Sequence, residues 1–480
     1  MTLEKSLIDC LEDNALRHSA KLALVTENRS LTCQELAMRV DSAARAIAMR
    51  FRGVQEQKVI ATLLPNGWEF VVTYLGILKA GHILMPLDPT FKELEIGSIV
   101  SQIPPALIVT SQTFAASFPK DSRLTMAEEI LTEQGSTDSP FLVLPADRQI
   151  ATLLFTSGTT GKPKAVPYTH ANHLWNIRAV SGLWEWTGDD TILTSLPLSH
   201  WHGLAMAISG SLYHGNTLYL QERFEAGATL REMASGRVSL FMHVPIAYHK
   251  LVQSGLENEY DISTVRLCIS GSSHLPPSVW QGFKERFGQE ILERYGSSET
   301  GLVTSNPLAD RRTGSVGYPL DGVQVKIGDQ GELLMRSPGL FPGYYNNPEA
   351  TQAKYDEGWW HTGDIGEVDP DGRIHLKGRV QEKIKHFGYT LYPRDLEWAA
   401  MKHPKVKEAV VIGIQNEELS DQLVYFVVGS ASGEELSAYF KHALPHSWRP
   451  DKVVLMDELP RTRSGKPRLA ELKRIAQERV

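Results

Sequence analysis

The chain has 480 residues and a mass of 53.5 kDa, several times the usual length of one domain, so we expect a large domain and a smaller one. Apolar residues make up 42% and charged residues 22%, which fits a globular protein and excludes fibrous or disordered compositions. The formal net charge of -7 gives no general electrostatic reason to bind nucleic acid or an anionic membrane surface.

The cysteine content and the apolar stretches predict a cytoplasmic protein without a membrane span. Cys10, Cys33 and Cys268 are too few and too scattered for a disulfide framework or a zinc ribbon, so we expect reduced thiols. The first ten residues carry charges and no apolar run, which argues against a secretory signal. The longest apolar stretch, residues 71–87, is interrupted by Lys79 and favours a helix followed by a buried strand.

Strand and helix patterns alternate through the first three hundred residues. The first unit is predicted as strand, turn, helix and strand at residues 59–64, 65–66, 68–79 and 82–87. Later apolar or β-branched runs are predicted strands: 150–155, 191–196, 217–220, 238–243, 267–270 and 291–295. This alternation predicts an α/β fold in which the large domain holds layered, mostly parallel sheets.

The pattern changes in the last third of the chain. From Gly328 onward, glycines separate short runs, which predicts antiparallel hairpins and a small barrel-like part. After Gly378 and Arg379, predicted helices and strands mix in an α+β unit: helices at 396–401 and 434–443, strands at 409–414 and 422–428. We therefore predict an N-terminal domain of residues 1–378 and a C-terminal domain of residues 379–480, the latter of about a hundred residues.

A nine-residue loop after the strand at 150–155 carries the sharpest chemical signal. Its residues are Thr156, Ser157, Gly158, Thr159, Thr160, Gly161, Lys162, Pro163 and Lys164. Glycines let backbone amides approach a polyphosphate, while hydroxyls and lysines supply donors and positive charge. It is not a Walker A loop, because its glycines are too close and Pro163 follows Lys162. The alternative is a surface loop with incidental lysines.

This loop resembles the signature of the adenylate-forming superfamily, which includes acyl-CoA synthetases, luciferases and the adenylation domains of peptide synthetases. Further segments agree in order: Tyr295-Gly296-Ser297-Ser298-Glu299, Thr362-Gly363-Asp364, Gly378-Arg379 and Arg463-Ser464-Gly465-Lys466. The resemblance covers nearly the whole chain. It implies an AMP-binding domain, a mobile C-terminal lid, and an ATP-dependent acid:CoA ligase that forms an acyl-adenylate and pyrophosphate, then a thioester and AMP.

The resemblance implies roles at the reacting phosphate. Lys466 would bring the acid carboxylate and the α-phosphate together, because two anions approach each other there. Glu299, with Thr159, would bind Mg²⁺. Without the resemblance, Lys466 reads as a surface lysine of a basic tail and Glu299 as a solvated residue at a helix start.

The rest of the nucleotide site follows from the same resemblance. Tyr295 would stack on adenine, with Gly296 and Ser298 in its motif, and the turn Gly271-Ser272-Ser273 would close the other face. Asp364 would accept both ribose hydroxyls and Arg379 would donate to the same ribose. A strand tyrosine is otherwise more often plain core.

The segment His200-Trp201-His202-Gly203 resembles the acid pocket of the family, where the first histidine lies beside the bound carboxylate. A zinc site of His200, His202 and His214 is the alternative, although no cysteine or carboxylate completes it.

Arg294 and Lys250 stand where malonyl-CoA synthetases of the family hold a second carboxylate, which implies a short diacid such as malonate. The alternatives are an Arg294 that is paired structurally, for example with Glu293, and a solvated Lys250.

The segment from Lys385 to Tyr389, with Gly388, resembles the loop that meets the pantetheine thiol, and Gln381 stands at the family's hinge. Few residues follow Lys466, so we expect a free acceptor, either coenzyme A or a free acyl carrier protein. Two other functions stay open: an enzyme loading a fatty or aryl acid onto such a carrier, and an inactive nucleotide-sensing protein. Departures from the family pattern at Ala165, Ser298 and Gln381 are the argument for the sensor.

Overall fold

The computed structural model describes residues 5–118, 123–133, 141–142, 149–156, 163–387, 389–414, 421–462 and 465–478. The predicted first unit is confirmed, with strand Val59–Leu63, helix Trp68–Lys79 and strand Ile83–Pro86. The two strands are parallel and buried at every residue, as expected for a sheet covered on both faces.

Two mostly parallel sheets form the large part of the molecule. The six-stranded sheet has the spatial order Leu124–Met126, Leu107–Thr110, Val59–Leu63, Ile83–Pro86, Ile150–Thr156 and Lys164–Thr169. Only its last pair is antiparallel. The nine-stranded sheet has the order Tyr318–Pro319, Gly301–Ser305, Ile291–Ser297, Leu267–Ser270, Leu240–His243, Thr191–Thr194, Thr217–Leu220, Leu22–Val25 and Ser30–Thr32. Its central strands are parallel and both of its edges are antiparallel.

Helices connect and cover these strands. Those before residue 300 are Leu7–Arg17, Cys33–Arg50, Trp68–Lys79, Glu93–Gln102, Ala127–Thr132, His170–Ser181, Ser209–His214, Ala226–Met233, Pro245–Gln253 and Pro277–Phe287. The segment His202–Ile208 is a π-helix, a form found often at functional sites. Because parallel strands end at one edge of a sheet, the segments after residues 194, 243, 270 and 297 lie along the same edge of the nine-stranded sheet. The contact of Asp88 with His200 brings the segment after residue 86, from the other sheet, to that edge.

The last third is built as predicted, from an antiparallel sheet followed by an α+β unit. The antiparallel strands are Gln324–Ile327, Glu332–Arg336, Tyr355–Asp356, Trp359–Val368 and Ile374–Arg379, with the short helix Pro348–Gln352. A hairpin, Ile384–His386 with Tyr389–Leu391, follows. The final sheet contains Val406–Ile414, Gln422–Gly429 and Lys452–Met456, packed with helices Pro393–Met401, Gly433–Ala443 and Leu469–Glu478.

The final sheet has apolar cores of its own. One cluster includes Leu396, Val411 and Phe440, and another includes Phe426 and Leu472; neither contains a residue from before position 384. This unit therefore buries its apolar surface independently of the large sheets. The domain boundary between residues 378 and 379 stays a prediction. Across the described parts of the chain, every helix is too short or too polar to cross a bilayer.

Candidate active site

Three residues that were predicted to bind the nucleotide are joined by a hydrogen bond and an ion pair. Asp364 and Arg379 lie opposite each other on neighbouring antiparallel strands, and Asp364 Oδ1 is 3.2 Å from Arg379 Nε. The Tyr295 hydroxyl donates to Asp364 Oδ2 at 2.6 Å. Burial, and then the negative charge of Asp364, raise the pKa of Tyr295 well above its usual value, so the hydroxyl stays a donor at neutral pH. The carboxylate of Asp364 is thus fixed in place from two sides.

Glu299 lies in the turn between strands Ile291–Ser297 and Gly301–Ser305, and not at a helix start. The hydroxyl of Tyr344 donates to Glu299 Oε1 at 3.0 Å, and Lys164 Nζ lies 5.0 Å from the centre of the Tyr344 ring. A half-buried carboxylate of this kind is the oxygen ligand that Mg²⁺ prefers, so Glu299 fits the predicted metal role. Sequence reasoning missed Tyr344; the available signal was the pair of tyrosines before Asn346.

The ends of the predicted phosphate loop meet across two strands. Thr156 and Lys164 are direct partners of the antiparallel pair, so the loop leaves and returns at one point of the sheet. The other predicted phosphate-binding residues lie outside the described residues: Ser157, Gly158, Thr159, Thr160, Gly161 and Lys162. Lys164 is the lysine of this motif that lies within the described residues. It contacts the ring of Tyr344, whose hydroxyl donates to Glu299.

The predicted adenine turn touches the predicted acid pocket. A Cβ atom on Gly271 would lie 2.5 Å from Arg294 Cζ, so only glycine leaves room for this guanidinium. Ser272 Oγ is 3.3 Å from His202 Nδ1, while Ser273 is half-buried. Gly296 and Ser298 are also half-buried, in and beside the strand that carries Tyr295.

Arg294 is a buried cation without a partner for one edge of its guanidinium. The residue is only 4% exposed, and neither Nε nor Nη2 has a hydrogen-bond partner among the described residues. Burial lowers the pKa of Arg294 to about 10, which still leaves it charged at neutral pH. The alternative pairing with Glu293 is not formed: Glu293 Oε1 accepts from Gly314 N at 2.9 Å, and burial raises the pKa of Glu293 to about 8.

His202 faces the same space. It is 5% exposed, and its Nε2 has no partner within the part of the chain that the structure describes. Burial, followed by the positive charge of Arg294, lowers the pKa of His202 well below its usual value, so the ring is neutral. Arg294 and His202 therefore lie close enough to interact electrostatically, and each has buried nitrogen atoms without a hydrogen-bond partner among the described residues. Trp201, the residue between the two histidines, is buried and packs 6.2 Å from the ring of Tyr168.

His200 lies at a more open position. Its Nε2 is 3.2 Å from Asp88 Oδ2, and Asp88 also accepts from Thr90 N at 2.8 Å and Ser199 Oγ at 3.2 Å. Burial acts to raise the pKa of Asp88, but the hydrogen bonds from His200 and Thr90 outweigh it and hold this pKa below its usual range. Asp88 was missed from the sequence, where the only signal was an aspartate directly after a predicted buried strand.

The structure does not bring every predicted acid-pocket residue together. Lys250 is exposed on helix Pro245–Gln253, and within the described ranges no hydrogen bond or ion pair joins it to Arg294. Its charge acts instead on buried His243, whose pKa is lowered to about 3 by burial and then by Lys250. The three histidines of the zinc alternative have separate partners, since His214 lies 3.0 Å from Ser181 Oγ and stacks on Trp186.

Lys466 lies on the C-terminal unit, and its side chain is exposed to solvent. Neighbouring protein atoms, followed by the charge of Arg379, lower the pKa of Lys466, while Asp364 and Glu299 act in the opposite direction. The lysine therefore stands within electrostatic range of both the ribose residues and the predicted metal ligand. A Cβ atom on Gly465 would lie 2.7 Å from Ile246 Cγ2, so the loop before Lys466 rests on helix Pro245–Gln253.

The predicted hinge and thiol residues lie elsewhere on that unit. Gln381 is exposed in the short turn Val380–Glu382. Lys385 is exposed on the hairpin Ile384–His386, with its backbone N–H donating to Asp421 Oδ2 at 2.7 Å. Gly388 lies outside the described residues.

Comparisons of the whole chain with known proteins identify its family. The family model of the AMP-binding enzyme matches residues 11–345, and that of the AMP-binding enzyme C-terminal domain matches residues 395–466. An oxalate–CoA ligase of Arabidopsis thaliana is 31% identical, with 96% of each chain covered. A mitochondrial malonate–CoA ligase of Homo sapiens is 30% identical, with 94% of this chain and 89% of the relative covered.

Among solved structures, ATP-bound MatB from Rhodopseudomonas palustris has a TM-score of 0.90 at 26% identity, covering 98% of this chain and 99% of that one. The first family model alone spans more than half of the chain, and the two relatives match along nearly their whole length. The chain therefore belongs to the AMP-binding enzyme family and is an AMP-forming acyl-CoA synthetase, which joins a carboxylic acid to coenzyme A with ATP.

Proposed function

We propose that this synthetase activates a short dicarboxylic acid, such as malonate, and transfers it to coenzyme A. The observation that carries the proposal is the buried guanidinium of Arg294, whose Nε and Nη2 have no hydrogen-bond partner in the described part of the chain. These two nitrogens form one edge of the guanidinium, and their N–H groups are parallel. Such an edge matches the two oxygens of one carboxylate, which a lysine or a single hydroxyl cannot do.

A monocarboxylic acid would leave this edge unpaired, because its only carboxylate must react with ATP. A diacid offers a second carboxylate to Arg294 and to His202 Nε2. Two relatives support the choice by their names, which refer to oxalate and malonate. Gly271 supports it by size, since a side chain there would displace the guanidinium.

In the first half-reaction, a carboxylate oxygen would attack the α-phosphorus of ATP, and the bond to the β-phosphate would break to release pyrophosphate. Lys466 would offset the charge that builds up as the two anions meet. Asp364, held by Tyr295 and Arg379, would bind the ribose hydroxyls. Glu299 would hold Mg²⁺, which supplies charge neutralisation at the phosphates.

In the second half-reaction, the thiol of coenzyme A would attack the acyl carbon and AMP would leave. Lys385 is exposed, and the Lys466 loop lies toward the predicted nucleotide residues. Both observations support an observed orientation of the C-terminal unit that is suited to adenylation. Residues 379–480 would then turn as a lid about Gln381 to present the Lys385 hairpin. Coenzyme A is preferred to a carrier protein because the two relatives above are named as CoA ligases.

The test is pyrophosphate release with malonate, oxalate, succinate, propionate, octanoate and benzoate, by the wild type and by Arg294→Met. We expect a short diacid to be the best substrate, and Arg294→Met to lower kcat/KM for it by about 2 kcal/mol or more, because a buried carboxylate loses its partner. Propionate should be almost unaffected. The matched control is Arg312→Met, at an exposed arginine that pairs with Asp371.

Two outcomes would count against the proposal. One is higher activity with octanoate or benzoate than with every diacid, and the other is unchanged acid preference in Arg294→Met. Parallel assays with coenzyme A and with a pantetheine-loaded carrier protein identify the acceptor.

A further inference from the structure

A polar chain links helix Pro245–Gln253 to the loop that carries Lys466. His249, on helix Pro245–Gln253, lies with Nε2 3.3 Å from Glu408 Oε1. The other oxygen of Glu408, which lies on strand Val406–Ile414, is 2.7 Å from Arg461 Nη2. Glu408 thus uses one carboxylate oxygen toward the large part and the other toward the C-terminal unit.

Arg461 carries this connection to the catalytic loop. Its Nη1 donates to the carbonyl oxygen of Gly465 at 2.6 Å, directly before Lys466. Gly465 itself has a φ of +81° and packs against Ile246, three residues from His249 on the same helix. The loop is therefore held at two points, by apolar contact with Ile246 and by the chain through Arg461 and Glu408.

We infer that Glu408 is a positioning residue for acid activation, fixing the Lys466 loop against helix Pro245–Gln253 during the first half-reaction. The inference rests on the role proposed above for Lys466, but not on the identity of the acid. Because the chain joins two units, it can form only while the C-terminal unit is docked as observed. Glu408 thereby couples the docked arrangement to the placement of Lys466.

The environment of Glu408 favours such a role over that of an ordinary surface pair. Its side chain is 17% exposed, so water screens the interaction less than at an open surface. Arg461 uses two nitrogens for two different acceptors, Glu408 and the Gly465 carbonyl, which its planar fork allows and a lysine does not. Burial lowers the pKa of His249, Glu408 acts to raise it, and the charges of Arg461, Lys407 and Lys250 lower it further.

The first test separates the two half-reactions in the full-length enzyme. Glu408→Gln should slow ATP-pyrophosphate exchange about tenfold or more, since removing one member of a partly buried ion pair leaves the other uncompensated. Thioester formation from supplied acyl-adenylate should be unchanged or faster, because that step does not need the Lys466 loop. Arg461→Lys should behave like Glu408→Gln. Glu458→Gln, at an exposed glutamate of the same unit, is the matched control.

A second test measures docking without catalysis and without a substitution in the Lys466 loop. The backbone N–H of Gly465 donates to the carbonyl oxygen of Thr462 at 2.9 Å, and that of Lys466 donates to Thr462 Oγ1 at 3.1 Å. Glu408→Gln should speed hydrogen–deuterium exchange of the peptide that contains Gly465 and Lys466, and so should His249→Leu, whose lesion lies outside the C-terminal unit. Glu458→Gln should leave this exchange unchanged.

The outcomes distinguish the inference from the proposed function beneath it. Normal pyrophosphate exchange in Glu408→Gln, equal slowing of both half-reactions, or unchanged hydrogen–deuterium exchange at Gly465 and Lys466 overturns the positioning role. Normal pyrophosphate exchange in Lys466→Ala instead removes Lys466 from the chemistry proposed above.

Discussion

The predicted nucleotide side and the predicted acid side of the site are built on opposite principles. On the nucleotide side, each oxygen of Asp364 already has a partner, the hydroxyl of Tyr295 or the guanidinium of Arg379. On the acid side, a guanidinium edge of Arg294 and the Nε2 atom of His202 have none among the described residues. In the first region the polar groups pair with one another, whereas in the second the described residues supply no acceptor for this guanidinium edge.

This difference has consequences for specificity. Residues that hold one another in place present the same geometry to every bound nucleotide, so little reorganisation accompanies binding. A buried donor without an acceptor is costly in the free protein, and a ligand that supplies the acceptor removes that cost. The acid side should therefore discriminate strongly between acids with and without a second anionic group.

Lys466→Ala gives the largest expected effect, because Lys466 is the one residue proposed to serve both regions. Acyl-adenylate formation should fall by about a thousandfold or more, comparable to the loss of a transition-state donor worth about 4 kcal/mol. Thioester formation from supplied adenylate should be nearly normal. Single-turnover assays of each half-reaction measure this, with exposed Lys473→Ala as the control. Equal losses in both half-reactions would contradict the assigned role.

Arg294→Met should raise the stability of the ligand-free protein while impairing diacid activation. Replacing a buried charge that lacks a partner by an apolar side chain of similar length should increase the free energy of unfolding by about 1 to 3 kcal/mol. Arg379→Met, which breaks an existing pair with Asp364, should show no such gain. Denaturant unfolding without ligands provides the measurement. A clear loss of stability in Arg294→Met would show that this arginine is structural.

The two regions also differ in how far the sequence could predict them. Tyr295, Glu299, Asp364, Arg379 and Lys466 stand in short motifs, so a resemblance identifies them by position. Asp88 and Tyr344 act on His200 and Glu299 from distant segments, and the hydrogen bonds between them exist only after folding. No local pattern around an aspartate or a tyrosine predicts such a partner. The lack of hydrogen-bond partners for Nε and Nη2 of Arg294 among the described residues is likewise a consequence of packing.

The same reasoning applies to the fold. The buried parallel strands near residues 59, 83, 191 and 267 were predicted because continuous apolar runs mark strands covered on both faces. The edge pair Leu22–Val25 and Ser30–Thr32 was missed, since these strands are short, partly exposed and without clear alternation. The π-helix His202–Ile208 was also missed, because its apolar residues fit an ordinary buried helix or strand equally well.

Tyr295→Phe should have the smallest effect and refine the account of the nucleotide side. The ring that would stack on adenine is kept, and only the hydroxyl bonded to Asp364 at 2.6 Å is lost. Because Arg379 still holds the other oxygen of Asp364, we expect KM for ATP to rise only about three- to tenfold, less than the about 1.5 to 3 kcal/mol of a whole hydrogen bond to a charged group would give. The kcat for adenylation should stay within about twofold, since the hydroxyl does not face the reacting atoms.

Steady-state pyrophosphate release at varied ATP measures both constants, with Tyr260→Phe as the control. An unchanged KM would show that Arg379 alone positions Asp364, and a large fall in kcat would place the hydroxyl in the chemistry itself.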